Sequence, residues 1–185
     1  PSHLFEYAVM GTIYAKEMGG IKNPSVGLLS MGEEEGKGNE AANEAYNLLK
    51  DSKLNFIGNV EGRDIMTKHV DVVVCDGFVG NIILKFGESV PKLLKHLLTK
   101  TSEAGFLDKV KVGISKGTLK KSLESLDYQE HGGVPLLGVN GISIIGHGSS
   151  SPKAIKNMVL KAREMHNKDL VKKIENSIKQ YSYIK

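Results

Sequence analysis

Residues 26–60 read VGLLSMGEEEGKGNEAANEAYNLLKDSKLNFIGNV, and their pattern decides the fold. The apolar run at the start predicts a short buried strand over Val26–Ser30. A glycine-rich loop follows, and Asn39 then caps a helix that runs to about Asp51. A second strand is predicted over Leu54–Val60. The order strand, loop, helix, strand is the building unit of an α/β sheet.

The segments on either side continue this alternation. Ser2 is the expected N-cap of a first helix, which Gly19-Gly20 ends. A third strand is predicted over Val70–Cys75, and its continuous apolar residues are typical of a strand with helices on both faces of the sheet. We therefore expect an α/β protein with a mostly parallel sheet flanked by helices.

The second half of the chain contains longer helices. The pattern predicts a helical stretch from Val79 to about Ala104, interrupted at Gly87 and Pro91, and a shorter helix over Leu119–Leu126. Two strands, Val134–Val139 and Gly141–Ile145, are expected to meet at the turn signal Asn140-Gly141. Ser151-Pro152 opens one final helix from about Lys153 to Gln180. No linker marks a domain boundary.

Composition excludes several classes of protein. The chain has 185 residues, of which 40% are hydrophobic and 25% charged, as in ordinary globular domains. Its one cysteine, Cys75, cannot form an internal disulfide. No apolar run approaches the roughly 20 residues that a membrane-spanning helix needs. We expect a soluble, cytoplasmic protein.

Positive charge is concentrated in two regions. Residues 91–121 contain eight lysines and two acidic residues, and residues 151–185 are also basic. Nucleic acid is an unfavourable partner, because the chain has only two arginines and no aromatic side chains interleave with the lysines. An anionic membrane surface or an acidic protein fits better. A merely solvated lysine face is the alternative.

Four loops follow predicted strands, where α/β sheets bind ligands. In the first, Ser30–Glu40, Gly36 and Gly38 can turn backbone N–H groups inward, and Lys37 and a helix N-terminus add positive charge. This loop could hold a phosphate, although it lacks the P-loop spacing and its three glutamates oppose an anion. The alternative is a plain surface turn.

The second and third loops contain mixed polar groups. Asn59 and Arg63 follow the second strand, and Arg63 could grip a phosphate or a carboxylate or form a structural bridge to Asp64 or Glu61. After the third strand, Asp76 is a helix cap, an acid/base group or a metal ligand, with Asn81 beyond it. A packing role is favoured for Cys75 over a nucleophilic one, because it continues an apolar strand.

The fourth loop reads GHGSSS over residues 146–151. Gly148, Ser149 and Ser150 approach a helix N-terminus and form a candidate anion cradle. Because histidine side chains exchange protons near neutral pH, His147 could be a general acid, or it could be structural. No metal-ligand spacing, Rossmann glycine fingerprint or Gly-x-Ser-x-Gly motif is present, so we expect neither metal nor cofactor. A site rich in oxyanion donors remains, suited to phosphate chemistry without a covalent intermediate.

Five runs resemble the phosphate acyltransferases of bacterial phospholipid synthesis, the PlsX family. They are GLLSMGEEEGKGNE (27–40), LNFIGNVEGRDI (54–65), DVVVCDGFVGNIILK (71–85), YQEHGGVPLLGVNG (128–141) and IGHGSSSPKAIKN (145–157). The resemblance implies that inorganic phosphate attacks the thioester of acyl-[acyl carrier protein], which gives acyl phosphate. It also implies an isocitrate/isopropylmalate dehydrogenase-like fold, a homodimer and a cytoplasmic protein at the membrane periphery.

The resemblance locates the loops, and the chemistry of the implied reaction suggests roles for their residues. We expect Lys37, Asn39 and the Gly148–Ser150 segment to hold phosphate, and His147 to stabilise the oxyanion or protonate the leaving thiolate. Asn59, Arg63, Asp76 and Asn81 would line the cleft. Residues 91–127 would form a helical projection that contacts membrane or carrier protein through Leu97, Phe106, Leu107 and Val110, or would form a dimer-interface hairpin.

The family's chain is longer than this one and begins with a segment that is absent here. The resemblance therefore implies the C-terminal portion of a longer enzyme, residues 1–185 forming part of one α/β chain that we expect to be inactive alone. Two alternatives stay open: a phosphotransacetylase-like enzyme that uses acyl-CoA, and a non-catalytic, membrane-associated scaffold.

Overall fold

The computed structural model describes residues 1–67, 70–103, 105, 117 and 132–182. The elements in these ranges are, in order, α1 (Ser2–Gly19), β1 (Ser25–Leu29), α2 (Glu40–Lys50), β2 (Asn55–Val60), a 3-10 turn (Asp64–Met66), β3 (Val72–Val74), α3 (Gly77–Glu103), β4 (Val134–Pro135), β5 (Ile144–Ile145), α4 (Pro152–Asn167) and α5 (Leu170–Ser182). The helix predicted over Leu119–Leu126 lies outside the described residues.

The described chain divides into two compact units. The first comprises Pro1–Asp76, Pro135–Ile145 and Val159–Lys185, and the second comprises Gly77–Val134 and Gly146–Met158. The boundaries fall between β3 and α3, inside β4, directly after β5 and inside α4. For this reason the sequence shows no linker.

A three-stranded parallel sheet lies at the centre of the first unit. Its strand order is β2-β1-β3, and β1 pairs in parallel with both neighbours. This confirms an α/β protein with a parallel sheet flanked by helices. The main core packs α1 and α2 against one face of the sheet, through Leu4, Ala8, Val26, Leu28, Ala45, Leu49 and Val74. On the other face Ile57 is exposed and Val73 half-buried, whereas Val60 is fully buried.

Strand β2 contains a bulge that the sequence did not reveal. Val26 pairs with Phe56, but Leu28 pairs with Asn59, so β2 uses one residue more than β1 over this step. Gly58 has φ +95°, a conformation that glycine adopts without steric cost. The extra residue brings Asn59 to the same sheet face as Leu28, which is the face that packs against α1 and α2.

Strands β4 and β5 are shorter than predicted. They form a two-stranded sheet, and Leu136 N donates a hydrogen bond to Ser143 O at 2.9 Å just inside it. Regular pairing ends there because Pro135 lacks an N–H group and Gly138 takes φ +82°. The predicted turn Asn140-Gly141 lies in the wide connection between the strands.

The predicted start of the first helix and the single final helix are both wrong. Helix α1 begins at Ser2 itself, because Phe5 N donates to Pro1 O at 3.1 Å and Pro1 takes the N-cap position. Gly20, with φ 70°, ends it as predicted. The predicted final helix is two helices, because Asp169 takes φ +50° between α4 and α5. Aspartate tolerates this left-handed conformation better than most residues.

The predicted interruptions of helix α3 at Gly87 and Pro91 are wrong. The helix continues through both residues. The ring of a helical proline collides with the carbonyl four residues earlier, and here that carbonyl belongs to Gly87. Because Gly87 has no Cβ, the backbone can tilt away from the ring. Ser89 Oγ donates a hydrogen bond to Phe86 O, the carbonyl just before Gly87, at 2.6 Å.

Candidate functional site

The loop between β1 and α2 is a folded turn over the end of β1. Ser30 Oγ donates to Lys37 O at 2.9 Å, and Lys37 N donates to Glu34 O at 3.3 Å. Gly36 and Gly38 have φ +88° and +108°, values that favour glycine. A Cβ at Gly38 would lie 3.0 Å from Ser30 Oγ, so the close approach of loop and strand requires glycine there.

The loop leads directly into the N-terminus of α2. Asn39 Oδ1 accepts a hydrogen bond from Ala42 N at 2.9 Å, which confirms the predicted N-cap. The positive end of the helix dipole therefore lies beside the loop. Lys37 is exposed, and the Asn39 amide nitrogen is the part of that side chain that could donate to an anion.

The three glutamates of this loop are exposed, where water screens their charge. Lys50 Nζ pairs with Glu35 Oε2 at 3.0 Å. This hydrogen bond, together with the charge of Glu35, raises the pKa of Lys50 above its ordinary value. The Glu35 carboxylate is thus paired with a cation. This pairing reduces the electrostatic repulsion that the sequence predicted between the loop and a bound anion.

Asn59 is the buried polar residue that supports this loop from below. Its side chain is 4% exposed, and its Nδ2 donates to Glu34 O at 3.0 Å. Its Oδ1 atom is buried without a hydrogen-bond partner among the described residues. The Gly58 bulge places Asn59 there. A glycine before an asparagine at a strand end was the only sequence signal for this arrangement.

The sequence allowed Arg63 to form an ion pair with either Glu61 or Asp64, and the structure contains the pair with Glu61. Its Nε lies 3.0 Å from Glu61 Oε2, and its side chain is 75% exposed. Asp64 is used differently, because its Oδ2 accepts a hydrogen bond from Glu61 N at 2.9 Å. The second loop is therefore a compact turn that holds one exposed arginine.

Cys75 and Asp76 follow β3 at the start of α3. Burial, and to a smaller extent the charge of Asp76, raises the pKa of the Cys75 thiol. A raised pKa lowers the thiolate population and so supports a packing role over a nucleophilic one. Asp76 is exposed and directly precedes the first residue of α3.

In the second unit, the loop between β5 and α4 is organised around His147. The carbonyl oxygen of His147 accepts hydrogen bonds from Ser150 N at 3.0 Å and Ser150 Oγ at 2.7 Å. His147 Nδ1 lies 2.7 Å from Ser149 Oγ and accepts from Ser149 N at 3.2 Å. Ala154 N then donates to Ser151 Oγ at 3.3 Å, which caps α4. Gly148, Ser149 and Ser150 thus lie at a helix N-terminus, as predicted.

Helix α3 provides further groups of the second unit. Asn81 is exposed in its second turn. Lys85 Nζ lies 3.1 Å from Glu88 Oε2, and this hydrogen bond lowers the pKa of Glu88, with a smaller contribution from His147. Glu88 is therefore within electrostatic range of the His147 ring. The sequence did not indicate this pair, because the two residues are far apart along the chain.

The same helix exposes many apolar side chains and buries none. Those exposed are Phe78, Val79, Ile82, Leu84, Phe86, Leu93 and Leu97. No described helix is long and apolar enough to cross a membrane. Phe106, Leu107 and Val110, predicted to contact membrane or carrier protein, lie outside the described residues.

An apolar cleft of about 190 Å³ lies in the first unit, between the β4–β5 connection and helices α4 and α5. Its lining includes Leu136, Met165, Leu170 and Ile174 and none of the predicted site residues. Within residues 1–67, 70–103 and 132–182, no three His, Cys, Asp or Glu side chains are grouped so that they could hold a metal.

The predicted site residues fall into two sets. The first unit holds Lys37, Asn39, Asn59, Arg63 and Asp76, and its sheet brings the Asn59 side chain beneath the Lys37 loop. The second unit holds Asn81, His147 and Gly148–Ser150. Each set joins polar or positive groups to a helix N-terminus after a strand, a combination that defines a class of α/β proteins able to bind anions.

The chain belongs to the fatty acid synthesis protein family, whose model matches residues 1–173. It is 50% identical over 178 residues to a phosphate acyltransferase of Pelotomaculum thermopropionicum, with 96% of this chain and 52% of the relative covered. Identity is 48% over 180 residues to a phosphate acyltransferase of Halothermothrix orenii, covering 96% of this chain and 54% of that one. The Aquifex aeolicus protein of the same name is 48% identical over 179 residues, covering 97% and 53%.

These matches confirm the resemblance to phosphate acyltransferases. The chain spans about half the length of the curated relatives it matches.

Proposed function

We propose that this chain is part of a phosphate acyltransferase that moves a fatty acyl group from acyl-[acyl carrier protein] to inorganic phosphate. The product, acyl phosphate, would supply phospholipid synthesis. The observation that carries the proposal is the high identity, over nearly the whole chain, to relatives named phosphate acyltransferase. The two loops at helix N-termini provide the chemistry that a phosphate substrate requires.

Phosphate is already a nucleophile, so the enzyme has to hold it beside the thioester and stabilise the oxyanion that forms. In the first unit, Lys37 supplies a cation, while the Gly36–Asn39 backbone and the Asn39 amide supply donors. In the second unit, the Gly148 amide and the N-terminus of α4 supply donors, while the Ser149 and Ser150 donors hold His147 in place beside them. No enzyme nucleophile is needed, in keeping with the raised pKa of Cys75.

Two further groups fit a substrate-lining role. Arg63 is paired with Glu61, but its side chain is 75% exposed, so its guanidinium can also contact an anionic substrate. Asn81 is exposed near the start of α3. Asp76 and Asn59 complete the cleft-lining set in this proposal, with Asn59 acting from beneath the loop.

The wider proposal includes an isocitrate/isopropylmalate dehydrogenase-like fold, a homodimer and a cytoplasmic protein bound peripherally to the membrane. The membrane contact is supported by the exposed apolar side chains of α3 and by the lysine-rich region 91–121, which overlaps the second half of that helix. In this proposal residues 91–127 form a helical projection. Mixed apolar and lysine side chains are typical of segments that lie in a membrane interface.

Vesicle flotation tests the membrane contact. The full-length protein should float with vesicles that contain phosphatidylglycerol, and the double variant Phe106→Glu, Leu107→Glu should remain in the soluble fraction. Met66→Glu is the matched control, since Met66 is 69% exposed but lies outside the lysine-rich region. Flotation of the double variant at the wild-type level would contradict the membrane contact.

The function itself is tested with the full-length protein, acyl-[acyl carrier protein] and inorganic phosphate. Acyl phosphate, trapped with hydroxylamine as the hydroxamate, should form from the carrier-protein thioester far faster than from acyl-CoA. A preference for acyl-CoA would instead indicate a phosphotransacetylase. Absence of product with either donor, in a folded protein that still binds phosphate, would indicate a non-catalytic scaffold.

A further inference from the structure

The imidazole of His147 is held at one of its two nitrogens by the residue two positions later. Ser149 N donates to His147 Nδ1 at 3.2 Å, and Ser149 Oγ lies 2.7 Å from the same atom. Ser150 fixes the His147 carbonyl oxygen through its own N–H and hydroxyl. Both ends of the His147 residue, backbone and ring, are therefore oriented by this short loop.

These contacts decide which nitrogen carries the proton. A backbone N–H can only donate, so Nδ1 must present its lone pair when the ring is neutral. The Ser149 hydroxyl can rotate so that it donates to the same lone pair. The proton of the neutral ring then resides on Nε2, which becomes a hydrogen-bond donor.

We infer that Ser149 is a positioning residue, which holds neutral His147 as the Nε2–H tautomer so that Nε2 donates a hydrogen bond to an oxygen of the substrate. This inference rests on the proposed function for its substrate, an acyl thioester with phosphate. It narrows the role of His147, because a ring with its proton on Nε2 cannot accept a proton there. Donation to the developing oxyanion is the role that remains for the neutral ring.

The reaction balances without proton transfer by His147. An oxygen of the phosphate dianion forms a bond to the thioester carbonyl carbon, and the carbonyl oxygen becomes negative. That charge collapses, the carbon–sulfur bond breaks, and the electron pair leaves with sulfur as a thiolate. Two negative charges enter on phosphate, and two leave, one on acyl phosphate and one on the thiolate. The Nε2–H group stabilises the intermediate oxyanion throughout.

The charged side chains that face the ring are consistent with this role. Glu88 lies within electrostatic range of His147 on α3, but its carboxylate is hydrogen-bonded to Lys85 at 3.1 Å. The positive charge of Lys85 offsets the negative charge of Glu88 at this position. Ser149, in contrast, contacts the ring directly at Nδ1.

Nitrogen-15 NMR of the histidine rings tests the inference directly. The full-length labelled protein is measured at alkaline pH, where imidazole rings are neutral, and the His147 signals are assigned by their loss in His147→Gln. We expect the Nδ1 resonance at the unprotonated position and the Nε2 resonance at the protonated position, more completely than for the exposed ring of His166. In Ser149→Ala the backbone N–H still donates to Nδ1 but the hydroxyl contact is lost, so the tautomer ratio should move part of the way toward that of His166, and Ser149→Thr should restore it.

The kinetic readout uses the same variants. Ser149→Ala should lower kcat about tenfold with little change in KM for the acyl donor, as misplacement of a catalytic group does. Ser149→Thr should recover the rate, and Ser143→Ala, an exposed serine outside the loop, should match wild type. The inference is overturned by an Nδ1–H tautomer, by a His147 ratio equal to that of His166, or by an unchanged rate in Ser149→Ala. If the protein forms no acyl phosphate but the tautomer is as expected, the proposed function fails and the ring assignment stands.

Discussion

Gly27 of β1 and Val60 of β2 are neighbours in the two strands that lead into the first two loops. A substitution at Gly27 should therefore disturb both loops. A Cβ at Gly27 would lie 2.6 Å from Val60 Cγ1, 3.1 Å from Val60 Cγ2 and 3.2 Å from Val70 Cγ1. Ordinary contact begins at 3.4 Å, so the nearest atom must move by most of an ångström. Val60 is 0% exposed. Overpacking of this kind costs about 1–3 kcal/mol.

The Gly27→Ala change also has a smaller favourable effect. Alanine restricts the unfolded chain and contributes about 0.4–1 kcal/mol of stability. We therefore expect Gly27→Ala to lower the free energy of unfolding by about 1–2 kcal/mol. Val60→Ala alone should also destabilise, by about 1–3 kcal/mol, because it removes buried methyl groups and leaves a cavity.

Combining the two substitutions tests the steric argument. The methyl group that Gly27→Ala introduces would occupy space that the Val60 methyl groups have left, so the double variant should be more stable than the sum of the single effects by about 1 kcal/mol. Urea unfolding followed by circular dichroism measures all four proteins. Gly62→Ala is the control, since nothing lies within 4 Å of its Cβ position. Additive single effects, or a Gly27→Ala protein as stable as wild type, would refute the reasoning.

Three further variants probe the loops and the helix contacts. Asn39→Ala should lower the free energy of unfolding by about 1 kcal/mol through loss of the α2 cap, and Asn39→Asp should not; urea unfolding measures both, and equal losses would contradict the cap. Gly58→Ala should cost about 1–3 kcal/mol because of φ +95°, and an unchanged melting temperature would show that the bulge is not needed. Glu17 has a lowered pKa, chiefly through its hydrogen bond to Lys173, so its stabilising effect is present above the unfolded-state pKa and is lost as pH falls through the folded-state pKa. Glu17→Gln should remove that part of the acid sensitivity in melting curves, whereas Glu44→Gln should retain it.

Local signals in the sequence predicted much of the fold. The Asn39 cap, the Gly20 stop and the short apolar strands depend on residues within a few positions of each other, and the structure confirms them. The parallel sheet followed from the order of elements. These features need no knowledge of distant contacts.

The missed features depend on contacts or on small conformational choices. The Gly58 bulge is a property of strand pairing, and only pairing reveals that Asn59 lies on the core face. Asp169 breaks the last helix by taking a conformation that its sequence neighbours do not dictate. Arg63 had two acidic neighbours, and the turn geometry selected Glu61.

Acyl-phosphate formation by variants of the full-length protein tests the central claim most directly. Lys37→Ala and His147→Ala are compared with wild type and with two controls at exposed positions, Lys53→Ala and His166→Gln. We predict that Lys37→Ala raises KM for phosphate and that His147→Ala lowers kcat about 100-fold, as loss of one oxyanion donor does. The controls should keep the wild-type rate. Near-wild-type kinetics in both Lys37→Ala and His147→Ala would contradict the claim that these loops hold phosphate and stabilise the oxyanion.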